Sequence, residues 1–192
     1  MNSYLVSLGA TLGIPCELIV ARGLREYEEA TCLEIAEVGA DGKDHRLVSA
    51  AASAWHSLKA AAAADGILLF VVSAFRSIDR QAEIVRRKLE AGATVEEVLN
   101  VCAPPGFSEH HTGRAIDVST SGSRALDVEF AQTAAFAWLT VRAAEFGYYL
   151  SYPVDNSWGY QYEPWHWCFH ETQPSGLTGR PKVGASIRHA SS

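Results

Sequence analysis

The fold class that the sequence predicts is α+β, and three observations point to it. The alanine-rich segment 49–64 has the composition of a helix. The apolar segment 67–75 is rich in β-branched and aromatic residues, as is typical of a strand. Two short aromatic segments, 148–153 and 165–169, follow a further helical segment and also have the composition of strands. Elements of these two kinds bury their apolar faces by packing helices on a sheet.

The length of the chain, 192 residues, is sufficient for one domain with a substantial core. We expect a single domain over residues 1–171, with its core at about 46–171 and an N-terminal extension at 1–45. Residues 172–192 are rich in Gly, Ser and Pro and contain no acidic residue, which predicts a flexible tail. We expect the protein to be a monomer.

Charge and hydropathy argue against two classes of function. The formal net charge is −6, which disfavours binding to nucleic acid. The nearest approach to a basic patch is Arg86, Arg87 and Lys88, which we interpret as the solvated face of a helix. No segment reaches the roughly 18 uninterrupted apolar residues of a membrane span, and the chain does not start with the basic segment of a signal peptide.

The four cysteines are widely spread and form no C-x-x-C pair. They therefore predict neither a zinc knuckle nor a thioredoxin-like redox site. A reducing compartment is compatible with them, and so are two disulfides in an exported protein.

The first two elements of the predicted core are a helix and a strand in direct succession. The helix 49–64 has Ser49 as its expected N-cap and Gly66 just past its end. The strand 67–75 shows no polar alternation, so we expect a central strand covered on both faces. Before them, the Gly- and Asp-rich residues 38–44 predict a turn.

Two helices are predicted after this strand. The first begins near Ser77 or Asp79 and ends at Gly92. Thr94 and Glu97 have the spacing of a capping box, which predicts a short helix to about residue 100.

The remaining elements are a loop, a helix and two strands. Consecutive prolines and a glycine predict an extended loop at 102–107. The segment 133–147 predicts a helix that ends at a glycine, and 148–153 and 165–169 predict strands.

The segment SEHHTGRAIDV, residues 108–118, contains the first candidate functional residues. In a straight strand, the odd separation of His110 and Asp117 would place them on opposite faces. Gly113 can adopt backbone angles that other residues avoid, so we expect the chain to turn there. His110 is then expected on a loop and Asp117 on the strand that follows.

A buried carboxylate such as that of Asp117 requires a partner, and a metal ion would supply one. Imidazole and carboxylate together suit Zn²⁺, which in catalytic sites has three protein ligands and an open fourth position. We choose His166, in the segment YEPWHW at 162–167, as the third ligand. Glu163, three residues earlier, is a candidate general base for a zinc-bound water.

Together these residues resemble the zinc D,D-carboxypeptidases of the VanY type. Their fold is shared with D-alanyl-D-alanine dipeptidases and the hedgehog signalling domain. The resemblance covers about residues 73–169, and it implies helices packed on a mainly antiparallel sheet with a zinc cleft at one side. Four segments occur in the order of the family, namely SAFRSIDRQ at 73–81, PGFSEHHTGRAIDV at 105–118, FGYYLSYP at 146–153 and YEPWHW at 162–167.

The resemblance also implies a role for each candidate residue. By this likeness, His110, Asp117 and His166 bind zinc, and Glu163 is the catalytic base. Arg76 would stabilise the oxyanion or hold a substrate carboxylate, for which a planar guanidinium with five donors is suited.

Four further residues receive weaker expectations from the same segments. Ser108 and Gln81 are candidates for contact with the substrate. His111 stands where many relatives have glutamine, and it should point away from the metal because adjacent side chains diverge. Cys168 shares a strand face with His166 and could lie behind it, although packing is the simpler interpretation.

The function implied by the resemblance is that of a zinc metallopeptidase acting on peptidoglycan stem peptides, with release of a C-terminal D-alanine as the expected reaction. Two alternatives stay open, a metallo-endopeptidase that cuts within the stem peptide and a non-catalytic zinc domain of the hedgehog kind. The choice between D,D- and L,D-specificity depends on pocket walls that the sequence does not reveal. A cytoplasmic location is the default without an export signal, whereas the substrate class suggests the cell envelope.

Overall fold

A computed structural model describes residues 2–172 of the chain. The predicted tail at 172–192 therefore lies outside the described residues except for its first member. The helices of the described part are α1 (Ser3–Thr11), α2 (Cys16–Ala21), α3 (Ser49–Ala64), α4 (Ile78–Glu90), α5 (Val95–Val101) and α6 (Ala134–Arg142). Three short 3₁₀-helices lie at Glu109–Thr112, Val128–Gln132 and Ala143–Phe146.

The strands form two sheets in which every pair is antiparallel. This arrangement confirms the predicted α+β fold with a mainly antiparallel sheet. A hairpin pairs β1 (Glu34–Val38) with β2 (Asp44–Leu47), and the predicted turn joins them. The larger sheet has the order β3-β4-β6-β5, formed by β3 (Phe70–Ser73), β4 (Ala115–Ser119), β5 (Tyr148–Leu150) and β6 (His166–Phe169).

The helix boundaries agree with the sequence patterns, with two corrections. The helix predicted at 133–147 is divided into α6 and the 3₁₀-helix Ala143–Phe146, after which Gly147 follows as predicted. Helix α3 spans the predicted residues, but its N-cap is Val48 and makes no side-chain cap, so Ser49 is the first residue inside the helix. Ser77 caps α4 by accepting from the backbone N–H of Arg80. The capping box of α5 is present in both directions.

The prediction of a central strand at 67–75 is wrong. Only Phe70–Ser73 forms a strand, and β3 lies at the edge of the larger sheet. Leu68 is 62% exposed and Phe70 is 37% exposed, whereas Leu69 and Val71 are buried. The segment thus has one buried and one accessible face. Because the residues on the accessible face are also apolar, the sequence does not show the apolar-polar alternation that is typical of such a strand.

Two apolar clusters hold the described residues together. The first packs α3 and α6 against the larger sheet and includes Trp55, Ile116 and Leu139. The second packs the N-terminal helices α1 and α2 on α4 and α5, with Ile19 and Val85 among its members. The N-terminal segment therefore contacts the helices that border the candidate site.

No helix within residues 2–172 has both the length and the apolar content needed to cross a membrane. All four cysteines lie in this part of the chain, and no disulfide joins any two of them. The disulfides left open by the sequence are therefore absent from the structure.

Candidate active site

The turn between His110 and Asp117 occurs where the sequence predicts it. Ser108 caps the short 3₁₀-helix Glu109–Thr112, and Gly113 follows with a φ of 63°. This left-handed backbone angle favours glycine, and a Cβ there would also displace the Leu33 side chain, whose Cδ2 would lie 2.7 Å away. Strand β4 begins two residues later, as predicted, and carries Asp117.

The three predicted metal ligands converge from two separate parts of the chain. The register of β4 and β6 places Asp117 opposite His166, and the preceding turn brings His110 to the same point. Oδ2 of Asp117 is 3.1 Å from Nε2 of His110, and its Oδ1 is 3.0 Å from Nδ1 of His166. One ligand atom from each residue lies within 4.8 Å of the other two, and all three residues are buried.

The outer nitrogens of both imidazoles face oxygen atoms that can only accept a hydrogen bond. Nδ1 of His110 is 2.6 Å from the carbonyl oxygen of Ala74, and Nε2 of His166 is 2.9 Å from Oε2 of Glu109. Each of these nitrogens must therefore carry a proton and donate it. In a neutral imidazole, the other nitrogen then presents a lone pair to Asp117. The two imidazole lone pairs and the Asp117 carboxylate are then three electron-pair donors that face one another, and a bound cation would accept from all three.

The electrostatics of this cluster also favour a positive charge. Burial lowers the pKa of His110 to about 4. Burial lowers the pKa of His166 as well, but hydrogen bonds to Asp117 and Glu109 outweigh it and raise this pKa to about 10. Burial alone would raise the pKa of Asp117, yet the two histidines hold it well below its usual range. The donor set of two imidazoles and a carboxylate, with two buried acids around them, fits a divalent ion such as Zn²⁺.

Glu163 lies beside this cluster, in the loop that leads into β6. Its Oε2 is 3.9 Å from Nδ1 of His166, and its backbone N–H donates to the carbonyl oxygen of Tyr152. Burial raises the pKa of Glu163 to about 7. A carboxylate with such a pKa can take up and release a proton near neutral pH.

Arg76 and Gln81 line the same cavity as the proposed ligands, and each has one buried polar atom without a hydrogen-bond partner. Among the described residues, Nε of Arg76 is buried without a hydrogen-bond partner, and so is Oε1 of Gln81. The Gln81 amide nitrogen donates to Ala103 and Cys102, which fixes the direction of its oxygen. Because buried polar groups are normally hydrogen-bonded, the Arg76 donor and the Gln81 acceptor are candidates to bind a ligand in the cleft.

The seven residues predicted to bind metal or substrate or to act in catalysis line one cavity of about 300 Å³. They are Arg76, Gln81, Ser108, His110, Asp117, Glu163 and His166. A cavity of about 370 Å³ near the N-terminal segment contains none of them. The structure therefore brings the whole predicted set together, with Ser108 acting in addition as the cap of the 3₁₀-helix.

His111 points away from the metal ligands, as predicted, and joins two backbone segments. Its Nδ1 donates to the carbonyl oxygen of Arg76, 2.6 Å away, and its Nε2 accepts from the N–H of Gly106 at 3.0 Å. The N–H of Arg76 in turn donates to the carbonyl oxygen of His110. His111 thus holds the backbone on which the Arg76 side chain is mounted.

Glu109 is a residue of the site that the sequence analysis missed. Its carboxylate bonds to Nε2 of His166 and accepts from the Ser151 hydroxyl at 2.6 Å. The only signal was an acid directly before His110, which by itself does not indicate the direction of the side chain. The thiol of Cys168 interacts with Glu109. The side chains of Cys168, Glu109 and His170 lie close together, with one polar atom of each within 4.8 Å of the others.

Comparison with known proteins agrees with this arrangement. A family model described as VanY, D-alanyl-D-alanine carboxypeptidase, matches residues 44–172. A D-alanyl-D-alanine carboxypeptidase of Enterococcus faecalis is 31% identical over 119 residues, which make up 57% of this chain and 42% of that protein. The chain spans less than half the length of the curated relatives that it matches.

Two solved structures show the same fold. The LdcB LD-carboxypeptidase matches with a TM-score of 0.66 at 31% identity, over 73% of this chain and 69% of that chain. The vancomycin resistance D,D-pentapeptidase VanY, solved as a mutant in complex with Zn(II), matches with a TM-score of 0.57 at 27% identity. That match covers 73% of this chain and 79% of the other.

Proposed function

Because the chain belongs to the VanY D-alanyl-D-alanine carboxypeptidase family, we propose that it is a zinc carboxypeptidase that releases a C-terminal D-amino acid from peptidoglycan stem peptides. The observation that carries the proposal is the convergence of two imidazole lone pairs and one carboxylate in a cleft that also contains Glu163 and Arg76. We also propose that residues 1–171 form a single domain and that the protein is a monomer. Light scattering after size exclusion measures the molar mass and so tests the monomer.

Zinc would be held by Nε2 of His110, the carboxylate of Asp117 and Nδ1 of His166. When bound, the ion lowers the pKa of a coordinated water from about 15.7 toward about 7 and polarises the scissile carbonyl. Ala74 and Glu109 orient the two imidazoles by accepting their outer N–H groups.

The proton transfers belong to Glu163. Its carboxylate lies next to the proposed ligand His166, so it can take the proton of the attacking water at Oε2. The same carboxyl group then delivers the proton to the leaving amine. Positioned proton transfer of this kind contributes about 10²- to 10⁴-fold to a rate.

Arg76 and Gln81 would bind and orient the peptide. The Arg76 guanidinium has a free buried donor, which suits the developing oxyanion or a substrate carboxylate. The free Oε1 of Gln81 suits a substrate N–H. Ser108, on the cavity wall, is a further candidate for substrate contact.

A second candidate reaction is L,D-carboxypeptidase activity. The LdcB LD-carboxypeptidase matches this chain with a higher TM-score than the D,D-pentapeptidase does. The two reactions use the same zinc chemistry and differ in the residue before the scissile bond. An L-residue there defines the L,D-reaction, and a D-residue defines the D,D-reaction.

The test is a zinc assay of the purified protein, followed by incubation with a stem pentapeptide and a stem tetrapeptide and mass analysis of the products. One zinc per chain and one D-alanine released from the pentapeptide are expected. Release from the tetrapeptide alone would establish the L,D-reaction, and internal fragments would establish an endopeptidase. Zinc binding without any hydrolysis would mark a non-catalytic domain, and absence of zinc would overturn the proposal.

A further inference from the structure

Helix α4 presents a continuous stripe of side chains to the cleft. Gln81, Ile84 and Lys88 all line the cavity that contains the proposed metal ligands. Their spacing of three and then four residues places them on one face of the helix. At 1.5 Å per residue, the stripe extends about 10 Å from Gln81 to Lys88. Gln81 and the proposed metal ligands are buried, whereas Lys88 is exposed, so we call the buried part of the cavity its inner end and the part at Lys88 its outer end.

Lys88 is a cation at this outer end, on the helix face that the sequence correctly predicts to be solvated. It is exposed, yet it lines the cavity together with the buried Cys102. Burial raises the pKa of the Cys102 thiol, and the charges of Arg76 and Lys88 oppose that shift. The ammonium group is therefore close enough to the cleft wall to act on groups inside it.

No carboxylate forms an ion pair with Lys88 among the described residues. About two helical turns earlier, Arg80 pairs with Glu83. The lining of the cavity also includes the aliphatic side chains of Ile84, Val101 and Leu126. An exposed cation in a cavity with aliphatic walls is suited to a ligand that combines a carboxylate with aliphatic carbons.

We propose that Lys88 binds a carboxylate of the substrate upstream of the scissile bond. This inference rests on the proposed carboxypeptidase function. In a carboxypeptidase only one residue follows the scissile bond, so a substrate that reaches the outer end does so with its upstream part. An extended peptide advances about 3.3–3.6 Å per residue, so the stripe on α4 corresponds to about three residues.

Stem peptides offer this carboxylate from two sources. One is the free α-carboxylate of the γ-linked D-glutamate at the second position. The other is the side-chain carboxylate of a diaminopimelate at the third position, where other stem peptides carry an L-lysine whose ammonium group Lys88 would repel. The shared chemistry is an anionic group at the outer end of the cleft.

The experiment compares four pentapeptides that end in the same D-alanyl-D-alanine. The third residue is diaminopimelate or L-lysine, and the second is D-glutamate or its amide, D-isoglutamine. The value of kcat/KM is measured for the wild type, Lys88→Met and Lys88→Glu. Arg87→Met is the matched control, because Arg87 is a cation in the same last turn of α4 but does not line the cavity.

We expect the wild type to prefer the peptide that carries the carboxylate, either at the second or at the third residue, by about three- to fivefold, the range of an exposed ion pair. The position at which the preference appears identifies the carboxylate that Lys88 binds. Lys88→Met should abolish the preference, Lys88→Glu should reverse it, and Arg87→Met should leave it unchanged. The preference should also fall as salt is raised, since the pair is accessible to solvent.

Equal rates of the wild type on all four peptides would overturn the inference, and so would an equal loss on all four in Lys88→Met. The latter result would assign Lys88 to the common C-terminal carboxylate. If the wild type hydrolyses neither these pentapeptides nor the tetrapeptides that lack the last D-alanine, the proposed function fails. In that case, calorimetric binding of the same four peptides by wild type and Lys88→Met still decides whether Lys88 selects a carboxylate.

Discussion

The inner and outer ends of the cleft differ in how firmly their polar side chains are held. At the inner end, both imidazoles have their outer nitrogens hydrogen-bonded to atoms of other segments, and Asp117 is pinned between them. At the outer end, Lys88 is exposed and has no ion pair within residues 2–172. The side chains at the inner end are therefore fixed by hydrogen bonds, whereas the Lys88 side chain can adjust its position to a ligand.

This difference predicts a division of labour along one cavity. Changes at the inner end should affect metal binding and the chemical step with every substrate, because the same few atoms serve every reaction. Changes at the outer end should affect only which substrate is preferred. The predictions below test this division, beginning with the change expected to have the largest effect.

Replacing Asp117 by Ala should remove the anion shared by both imidazoles. We expect loss of stoichiometric zinc and a fall in kcat/KM of more than about 10³-fold, since the ion that activates water would no longer be held. Elemental analysis of the purified variant measures the metal, and peptide hydrolysis measures the activity. A variant that keeps one zinc per chain would contradict the proposed ligand set.

Glu163→Gln should separate chemistry from metal binding. The side chain lies beside His166 but is not one of the three proposed ligands. We expect zinc content to stay at the level of the wild type while kcat falls by about 10²- to 10⁴-fold. Full activity of this variant on a stem peptide would remove Glu163 from the role of general base.

Glu109→Ala should weaken zinc binding without removing a ligand. Loss of the carboxylate that orients His166 is expected to lower zinc affinity or activity by about 10- to 100-fold. Competition with a chromophoric chelator measures the affinity. Ser151→Ala is the matched control, because it removes a hydrogen bond to Glu109 and leaves the contact with His166 in place. Equal zinc affinities of Glu109→Ala and the wild type would show that this contact does not matter.

His111→Leu should act on stability and not on the metal. It would leave the backbone groups of Arg76 and Gly106 without partners, at a cost of about 1–3 kcal/mol for each buried group. His111→Gln retains a donor and an acceptor, so we expect a smaller loss. Denaturant unfolding measures both variants. A loss of zinc from either folded variant would place His111 among the ligands.

Much of the inner end could be predicted from the sequence because its members lie in short segments with distinctive residues. The turn at Gly113 followed from glycine's backbone freedom, and the strand position of Asp117 followed from the residues after it. The pairing of Asp117 with His166 depends on strand register, which the resemblance implied and the residues alone did not.

The neighbours of His110 show why the rest could not be predicted. A 3₁₀-helix has about three residues per turn, so consecutive side chains point in three directions. Glu109 therefore contacts His166, His110 faces Asp117, and His111 reaches the backbone of Arg76. The sequence shows three adjacent polar residues, whereas the geometry of a single turn assigns each one a different partner.

The edge position of β3 and the place of Lys88 in the cavity could not be predicted, for a related reason. The interpretation of 67–75 as a central strand depended on local composition, and so did that of Lys88 as a solvated residue, which its exposure confirms. Which cavity or sheet position an element occupies depends on residues far away in the chain, such as Leu126 and Gln161, which line the cavity together with Lys88. Local patterns identified these elements but not their neighbours.

The most direct test of the central claim is anomalous diffraction at the zinc edge from crystals of the zinc-loaded protein. We expect one strong peak per chain, bonded to Nε2 of His110, the carboxylate of Asp117 and Nδ1 of His166, while Glu109 still accepts from Nε2 of His166. A peak elsewhere, or zinc bound through Nε2 of His166, would contradict the orientation of the imidazoles on which the proposed site depends.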